Sequence, residues 1–303
     1  VARVDYFSSF DFQQRFQENY DRATQRSKRA SGTIVKSFKQ YNLRVLFDRK
    51  DTSFDDNVAI RKVLPQVTFG ARASRIGPTP LLLSFESEAA TLGRTSGDQL
   101  FEYSRFDVVP TVSYPFTGLS FLTFRTSVTG RYTYFTSSQT RTGQFVEEDP
   151  IDRRYWETAF DMRGPTFAKI FNTPDNGYAA RFKHVIEPQV VWSYRSRIET
   201  FDEIPKFDGN DYIPGTNQVN FSLVNRFLAK RRIDGKEQST PTEMLTWVIS
   251  QRYFFDINAS LYDPQFSTPY YSPDGTPSRY SPITSRVNFR PSSSLSATWN
   301  LDY

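Results

Sequence analysis

Leu122-Thr123-Phe124-Arg125-Thr126-Ser127-Val128-Thr129-Gly130-Arg131-Tyr132-Thr133-Tyr134 decides the fold of this chain. Leu122, Phe124, Val128, Tyr132 and Tyr134 fall on one parity, and Thr123, Arg125, Ser127, Thr129, Arg131 and Thr133 on the other. Side chains of an extended backbone point to opposite faces with period 2, so this stretch reads as a strand with one apolar and one charged face. A strand buried in a parallel sheet would be apolar on both faces.

The same alternation recurs in both directions from that stretch. Leu81, Leu83, Phe85 and Ala89 oppose Ser84, Glu86 and Glu88. Downstream, Ile186, Val190, Trp192 and Tyr194 oppose Glu187, Gln189, Ser193 and Arg195. At the end, Leu295, Ala297, Trp299, Leu301 and Tyr303 oppose Ser294, Ser296, Thr298, Asn300 and Asp302. About thirteen or fourteen such segments are expected. They fall near 8–10, 31–38, 41–49, 65–74, 81–92, 101–115, 119–137, 153–163, 179–197, 218–231, 242–255, 281–290 and 293–303. Leu119–Phe135 and Val287–Tyr303, the latter broken at Pro291, exceed the length of ordinary strands and suit a tilted barrel wall.

Composition narrows the architecture. Of 303 residues, 28 are Phe, 17 Tyr and 4 Trp, although mean hydropathy is only −0.56. Apolar runs reach three or four residues, as at Leu81-Leu82-Leu83, far short of the roughly 20 that a spanning helix needs. A spanning strand needs about 9–11 residues with every second one apolar, and aromatic girdles account for the rings. A soluble sandwich or propeller with an aromatic core is the competing architecture. With no Cys, the chain carries neither disulfide nor thiolate chemistry. Its net charge of +5 is dispersed, and Lys230-Arg231-Arg232 alone is too short a basic run for nucleic-acid binding. The start at Val1 shows no secretion signal, and we read the sequence as an internal fragment.

Connections sort into long and short. Ser138–Asp152, Phe201–Asn217 and Tyr262–Pro282 are long and rich in Pro, Gly, Ser and Asp, whereas Lys39–Gln40 and Pro115–Gly118 are tight. Transmembrane barrels place long loops on one side and short turns on the other. No repeat of 20–50 residues supports blades or solenoid coils. Helical periodicity is weak, and Phe167–Phe171 is expected at most to form a helical turn.

Catalytic readings find little to build on. A Ser-His-acid site would have to use His184, the single histidine, which reads as a polar residue at a strand end. No G-x-S-x-G elbow accompanies it. Asp208-Gly209-Asn210-Asp211 starts like a calcium loop but lacks the rest of that spacing, and reads as a turn. No catalytic, cofactor-binding or metal-binding residue is assigned. The charges of the polar faces, Glu86, Glu88, Arg125, Arg131, Arg163, Glu187 and Arg195, have two readings. One is a lumen whose arginines guide phosphorylated sugars; the other is a network of ion pairs that satisfies itself.

Three stretches resemble a known family. The first is His184-Val-Ile-Glu-Pro188-Gln-Val-Val-Trp-Ser-Tyr194; the second, Glu203-Ile-Pro205-Lys-Phe207-Asp208; the third, Asn217-Gln-Val-Asn-Phe-Ser-Leu-Val-Asn225-Arg226. Together they are similar to the C-terminal barrel of the outer-membrane lipopolysaccharide-assembly family LptD. In that family a strand opens with His and a Pro four residues on, an Ile-Pro-x-Phe-Asp loop follows, and an Asn precedes a strand ending in Asn-Arg. The Asp5-Tyr-Phe-Ser-Ser-Phe start and Arg61-Lys-Val-Leu-Pro65-Gln-Val look similar to strands of the same barrel.

The resemblance implies that His184, Pro188, Pro205, Phe207, Asp208, Asn217, Asn225 and Arg226 are structural or lumenal positions of the family motif. It implies an all-β fold, an antiparallel transmembrane barrel, incomplete here, with residues 1–303 belonging to one barrel domain and no separate soluble domain. It also implies a place in the bacterial outer membrane and lipopolysaccharide as the substrate inserted into the outer leaflet. The partners would be an LptE-like plug lipoprotein and a periplasmic Lpt bridge reached through a missing N-terminal domain. A porin or transporter is the alternative, and an outer-membrane hydrolase a more distant one.

Overall fold

The computed structural model describes residues 2–5, 27–54, 57–96, 99–233, 236–237, 240–257, 278–292 and 294–303. Strands β1 (Ala2–Asp5), β2 (Ser27–Phe38), β3 (Tyr41–Phe54), β4 (Asn57–Arg75), β5 (Leu82–Ser96), β6 (Gln99–Phe116) and β7 (Thr123–Phe135) come first. The short β8 (Ser138–Gln139) and β9 (Phe145–Val146) precede β10 (Ile151–Arg163), β11 (Phe167–Asn172) and β12 (Ala179–Arg195). A 3-10 turn, Phe201–Glu203, leads to β13 (Thr216–Ile233), β14 (Lys236–Glu237), β15 (Thr242–Phe254), β16 (Thr284–Phe289) and β17 (Ala297–Asp302).

Thirteen strands form the main path of one sheet, in the order β1-β2-β3-β4-β5-β6-β7-β10-β12-β13-β15-β16-β17. The order follows the chain and is open, with β1 and β17 at its two ends. Neighbours pair antiparallel, as in β2–β3, β3–β4, β4–β5, β12–β13 and β13–β15. The expected strand at 8–10 lies outside the described residues.

Three expectations need correction. Phe167–Phe171 is strand, not helical turn. β10 pairs only with the Gln189–Arg195 half of β12, and β11 fills the remaining edge, from Arg181 to Ile186. Those unpaired backbone groups demand partners, which decides the conformation where periodicity does not. Gly164 makes this fold-back, with φ +111° and an added Cβ only 2.4 Å from the Phe121 carbonyl oxygen. β4 starts well before Pro65, because a bulge between Val63 and Gln66 absorbs a residue that cannot donate to the ladder. Val287–Tyr303 is a hairpin of β16 and β17, reversing beyond Pro291, and not one broken strand.

The residues cluster into two compact units. Unit 1 comprises Val1–Val112, Thr129–Trp156 and Arg197–Ile213; unit 2 comprises Ser113–Val128, Glu157–Ser196 and Pro214–Tyr303. In unit 1 the polarity is inverted with respect to a water-soluble protein. Along β6, Arg105 and Asp107 are buried whereas the intervening Phe106 is 50% exposed. Leu83 and Tyr132, of β5 and β7, are exposed too. Unit 2 shows Phe221, Leu223, Trp247 and Trp299 on exposed positions of β13, β15 and β17.

Candidate functional site on the charged buried face

Unit 1 is built around Arg105, whose side chain is fully buried. Its Nη1 donates to Asp211 Oδ1 (2.7 Å) and Asp208 Oδ1 (3.0 Å), and its Nη2 to Asp208 Oδ2 (2.8 Å) and Glu88 Oε1 (2.6 Å). Nε completes the set with a second bond to Glu88 Oε1 at 3.1 Å. One guanidinium thus joins β5, β6 and the 197–213 loop. Desolvating such charges costs several kcal/mol per ion, so the arrangement persists only because every donor finds a carboxylate.

The loop is shaped to present those carboxylates. Asp211 N–H donates to the Asp208 carbonyl (3.0 Å), closing a turn. The Phe207 and Asp208 N–H groups donate to Asp211 Oδ2, and Asn210 N–H donates to Asp208 Oδ1. Asp and Asn favour such turns because their side chains capture nearby backbone donors. Tyr103 hydroxyl adds a 3.3 Å bond to Asp211 Oδ2. Burial pushes the Asp208 carboxyl up, but the Arg105 hydrogen bonds and charge outweigh it and hold the group below the ordinary carboxylate range.

An apolar cluster seals the same loop. Ile204 and Ile198 pack with Val63, Ala90, Leu92, Tyr103, Phe135 and Tyr155. Beside it, Arg131 is bidentate to Asp107 (2.8 and 2.7 Å), and Thr133 donates to Asp107 Oδ1 at 2.5 Å. Arg153 reaches Thr133 Oγ1 and the Asn210 carbonyl. Lys206 lies in the loop with its ammonium over the Phe201 ring at 3.8 Å, bonded to the Phe201 and Asp211 carbonyls. Burial lowers its pKa to about 8.

The motif residues fall into two groups. Pro205, Phe207 and Asp208 belong to the loop of unit 1: Pro205 is buried, Phe207 carries the Arg61 guanidinium 4.4 Å from its ring centroid, and Asp208 clamps Arg105. His184, Pro188, Asn217, Asn225 and Arg226 belong to unit 2. His184 sits inside β12, between β11 and β13, and not at a strand end. Its Nε2 lies 3.2 Å from Asn225 Oδ1 and its ring stacks on Phe227 at 4.0 Å. Pro188 accepts the Gly164 N–H, and Asn217 Oδ1 accepts the Trp192 indole N–H at 3.0 Å. Asn225 and Arg226 lie in mid-strand, because β13 continues to Ile233; Arg226 points to the opposite face, 4.0 Å from Glu243.

Arg105, Asp107 and Arg153 were not singled out by sequence. A period-2 signal was present: Arg105 and Asp107 alternate with Phe106 and Val108. The 103-residue separation between Arg105 and Asp208 left no local trace of their pairing. The turn reading of Asp208–Asp211 agrees with the geometry, since both carboxylates are taken by Arg105. Of the polar-face charges, Arg131 pairs with Asp107, Arg195 with Glu157, and Glu88 with Arg105.

Comparison with known proteins agrees with this inside-out sheet. No curated protein matches the chain. The family model LptD, LPS transport system D, matches residues 3–303. With all but the first two residues matched and an all-β antiparallel sheet of thirteen main strands, the chain belongs to the LptD family, which transports lipopolysaccharide at the outer membrane.

Proposed function

We propose that this chain is the barrel part of a lipopolysaccharide translocon and places lipopolysaccharide in the outer leaflet of the bacterial outer membrane. The observation that carries the reading is the inverted polarity of the strands. Apolar side chains such as Phe106, Tyr132, Phe221 and Trp299 are exposed, while Arg105, Asp107 and Arg153 are buried. Burying a charge and exposing a ring is unfavourable in water and favourable in a barrel wall between hydrocarbon and a wet interior.

An amphiphile crossing such a wall needs a polar path for its sugars and a low-cost exit for its acyl chains. The charged face supplies the first, and an edge with weak strand pairing supplies the second. Residues 1–303 act as one barrel domain in this reading, since β6, β7 and β10 each contribute residues to both units. The motif residues serve structure: the loop group fastens 197–213 to the strands, and the β12–β13 group knits two neighbouring strands. An LptE-like plug lipoprotein and a periplasmic Lpt bridge are the partners of this reading. Chemistry is not part of it; His184 is engaged with Asn225 and Phe227.

Depleting the protein from its native cell and labelling surface lipopolysaccharide tests the reading. Newly made lipopolysaccharide is expected to disappear from the surface and accumulate inside. Undiminished surface labelling during depletion overturns the assignment.

A further inference from the structure

Four basic residues stand in a row across four strands of unit 1. Arg29 of β2 is directly opposite Lys50 of β3, Lys50 is opposite Arg61 of β4, and Arg61 is opposite Arg94 of β5. Directly opposed residues share a face, with Cβ atoms only about 4.5–5.5 Å apart, and like charges there repel. Arg29 escapes by pairing with Asp48 at 2.6 Å. Lys50, Arg61 and Arg94 make no ion pair among the described residues. Asp208 feels Arg61 through space, but its two oxygens are already bound by Arg105.

These three cations line a cavity of about 250 Å³ together with Thr52, Ile60 and Phe207. The Arg61 guanidinium carbon sits 4.4 Å from the Phe207 ring centroid, and this contact with the ring face holds the group while using none of its N–H donors. A fixed guanidinium flanked by two further cations suits an oxyanion bearing more than one negative charge, and a phosphate matches the fork geometry of Arg. Unrelieved like-charge contacts on one side of a cavity are a cost to folding that a bound polyanion offsets.

We infer that Lys50, Arg61 and Arg94 form a phosphate-binding ladder, fastened at Arg61 by Phe207 of the 197–213 loop, that takes a phosphate carried on a saccharide. The inference rests on the transport reading above and deepens it by assigning residues to the headgroup path. Phe207 acts as a positioning residue, and the three cations touch the ligand.

The full chain, purified with its natural partners in detergent, is titrated calorimetrically with three probes: a phosphorylated core oligosaccharide, the same oligosaccharide after phosphatase treatment, and inorganic phosphate. The combined Lys50→Gln, Arg61→Gln and Arg94→Gln variant is expected to lose at least about tenfold affinity for the phosphorylated sugar, the worth of one charge-assisted contact or more. Its affinity for the dephosphorylated sugar stays unchanged, and its unfolding midpoint stays level or rises as repulsion is relieved. Arg94→Gln alone gives the same direction if the combined variant folds poorly. Undiminished affinity, or equal loss for both sugars, overturns the ladder. Inorganic phosphate binding as tightly as the phosphorylated sugar overturns the saccharide assignment. A combined variant that binds normally while the wild type still delivers lipopolysaccharide to the surface removes the ladder alone; a wild type that delivers none removes the transport reading.

Discussion

The two units share a strand grammar and differ in how their polar residues are used. In unit 1 the 197–213 loop lies against the polar face, and Arg105, Arg131 and Arg153 are tied into buried networks. In unit 2 polar contacts are shallower and run between neighbouring strands, as in His184–Asn225, Trp192–Asn217 and Trp247–Ser285. Period-2 alternation thus specifies which side of a strand is polar but not whether that side is filled. Filling depends on a loop arriving from elsewhere in the sequence. Stability in unit 1 should therefore hinge on a few buried ions, and in unit 2 on the exposed apolar faces.

The largest expected effect lies in unit 1. Arg105→Ala leaves Asp211 and Glu88 without their cation and Asp208 with the Asn210 N–H but neither of its guanidinium bonds. Breaking a buried pair from one side costs about 3–5 kcal/mol. In a denaturant titration of lipid-refolded protein the variant should shift by that amount, with the 197–213 loop becoming protease-sensitive first. A shift under about 1 kcal/mol, the size of an exposed pair, would show that the network is hydrated and replaceable.

Next comes the exposed face of unit 2. Phe221→Arg on β13 should cost about 2–4 kcal/mol if this position meets hydrocarbon near the bilayer midplane. The neighbouring Ser222→Arg points to the other face and should cost little. Equal penalties in the same refolding titration would reject the assignment of hydrocarbon to the exposed apolar side.

These two sites also mark what was legible beforehand. The faces of β7 and β12 follow directly from alternation, since a residue's parity on a strand is local information. The family motif named Pro205, Phe207 and Asp208 of the 197–213 loop, without disclosing what Asp208 holds. Arg105 is a single Arg in an alternating strand, indistinguishable in sequence from Arg125, which among the described residues donates to the Ser113 hydroxyl at 3.2 Å. β11 was missed because the missing pairing on β12 depends on where β10 stops, a non-local fact. His184 reads as terminal when taken as the start of the alternating run through Ile186, Val190 and Trp192, yet the β13 ladder pairs with β12 back to Ala179 and puts it inside the sheet.

A smaller effect probes the motif within unit 2. Asn225→Ala removes the partner of the His184 ring nitrogen and leaves the imidazole stacked on Phe227. Losing one side-chain hydrogen bond of this kind costs about 1 kcal/mol. His184→Ala should cost a similar amount, and the double variant less than the sum, because the two act through one contact. Full additivity in a double-mutant cycle would show that the motif's His and Asn are retained for separate reasons.

A last contrast separates the units by pH. Lys206, in the loop of unit 1, has its pKa lowered by burial from 10.5 to about 8. Between those two values the residue is neutral with the loop docked and charged once the loop is released. Release then takes up a proton, so docking strengthens as pH rises through this window and gains nothing below it. Asp208 is ionised in both states throughout this range and contributes no slope of its own. Lys206→Met abolishes the titration, so the docking free energy of wild type minus variant should rise between pH about 8 and 10.5. Hydrogen-exchange protection of the loop, corrected for intrinsic exchange rates, reads this difference, and the strands of unit 2 serve as the internal reference. A flat difference would mean that water reaches the ammonium in the docked loop, and a falling one that its bonds to the Phe201 and Asp211 carbonyls stabilise the charged form more than burial penalises it.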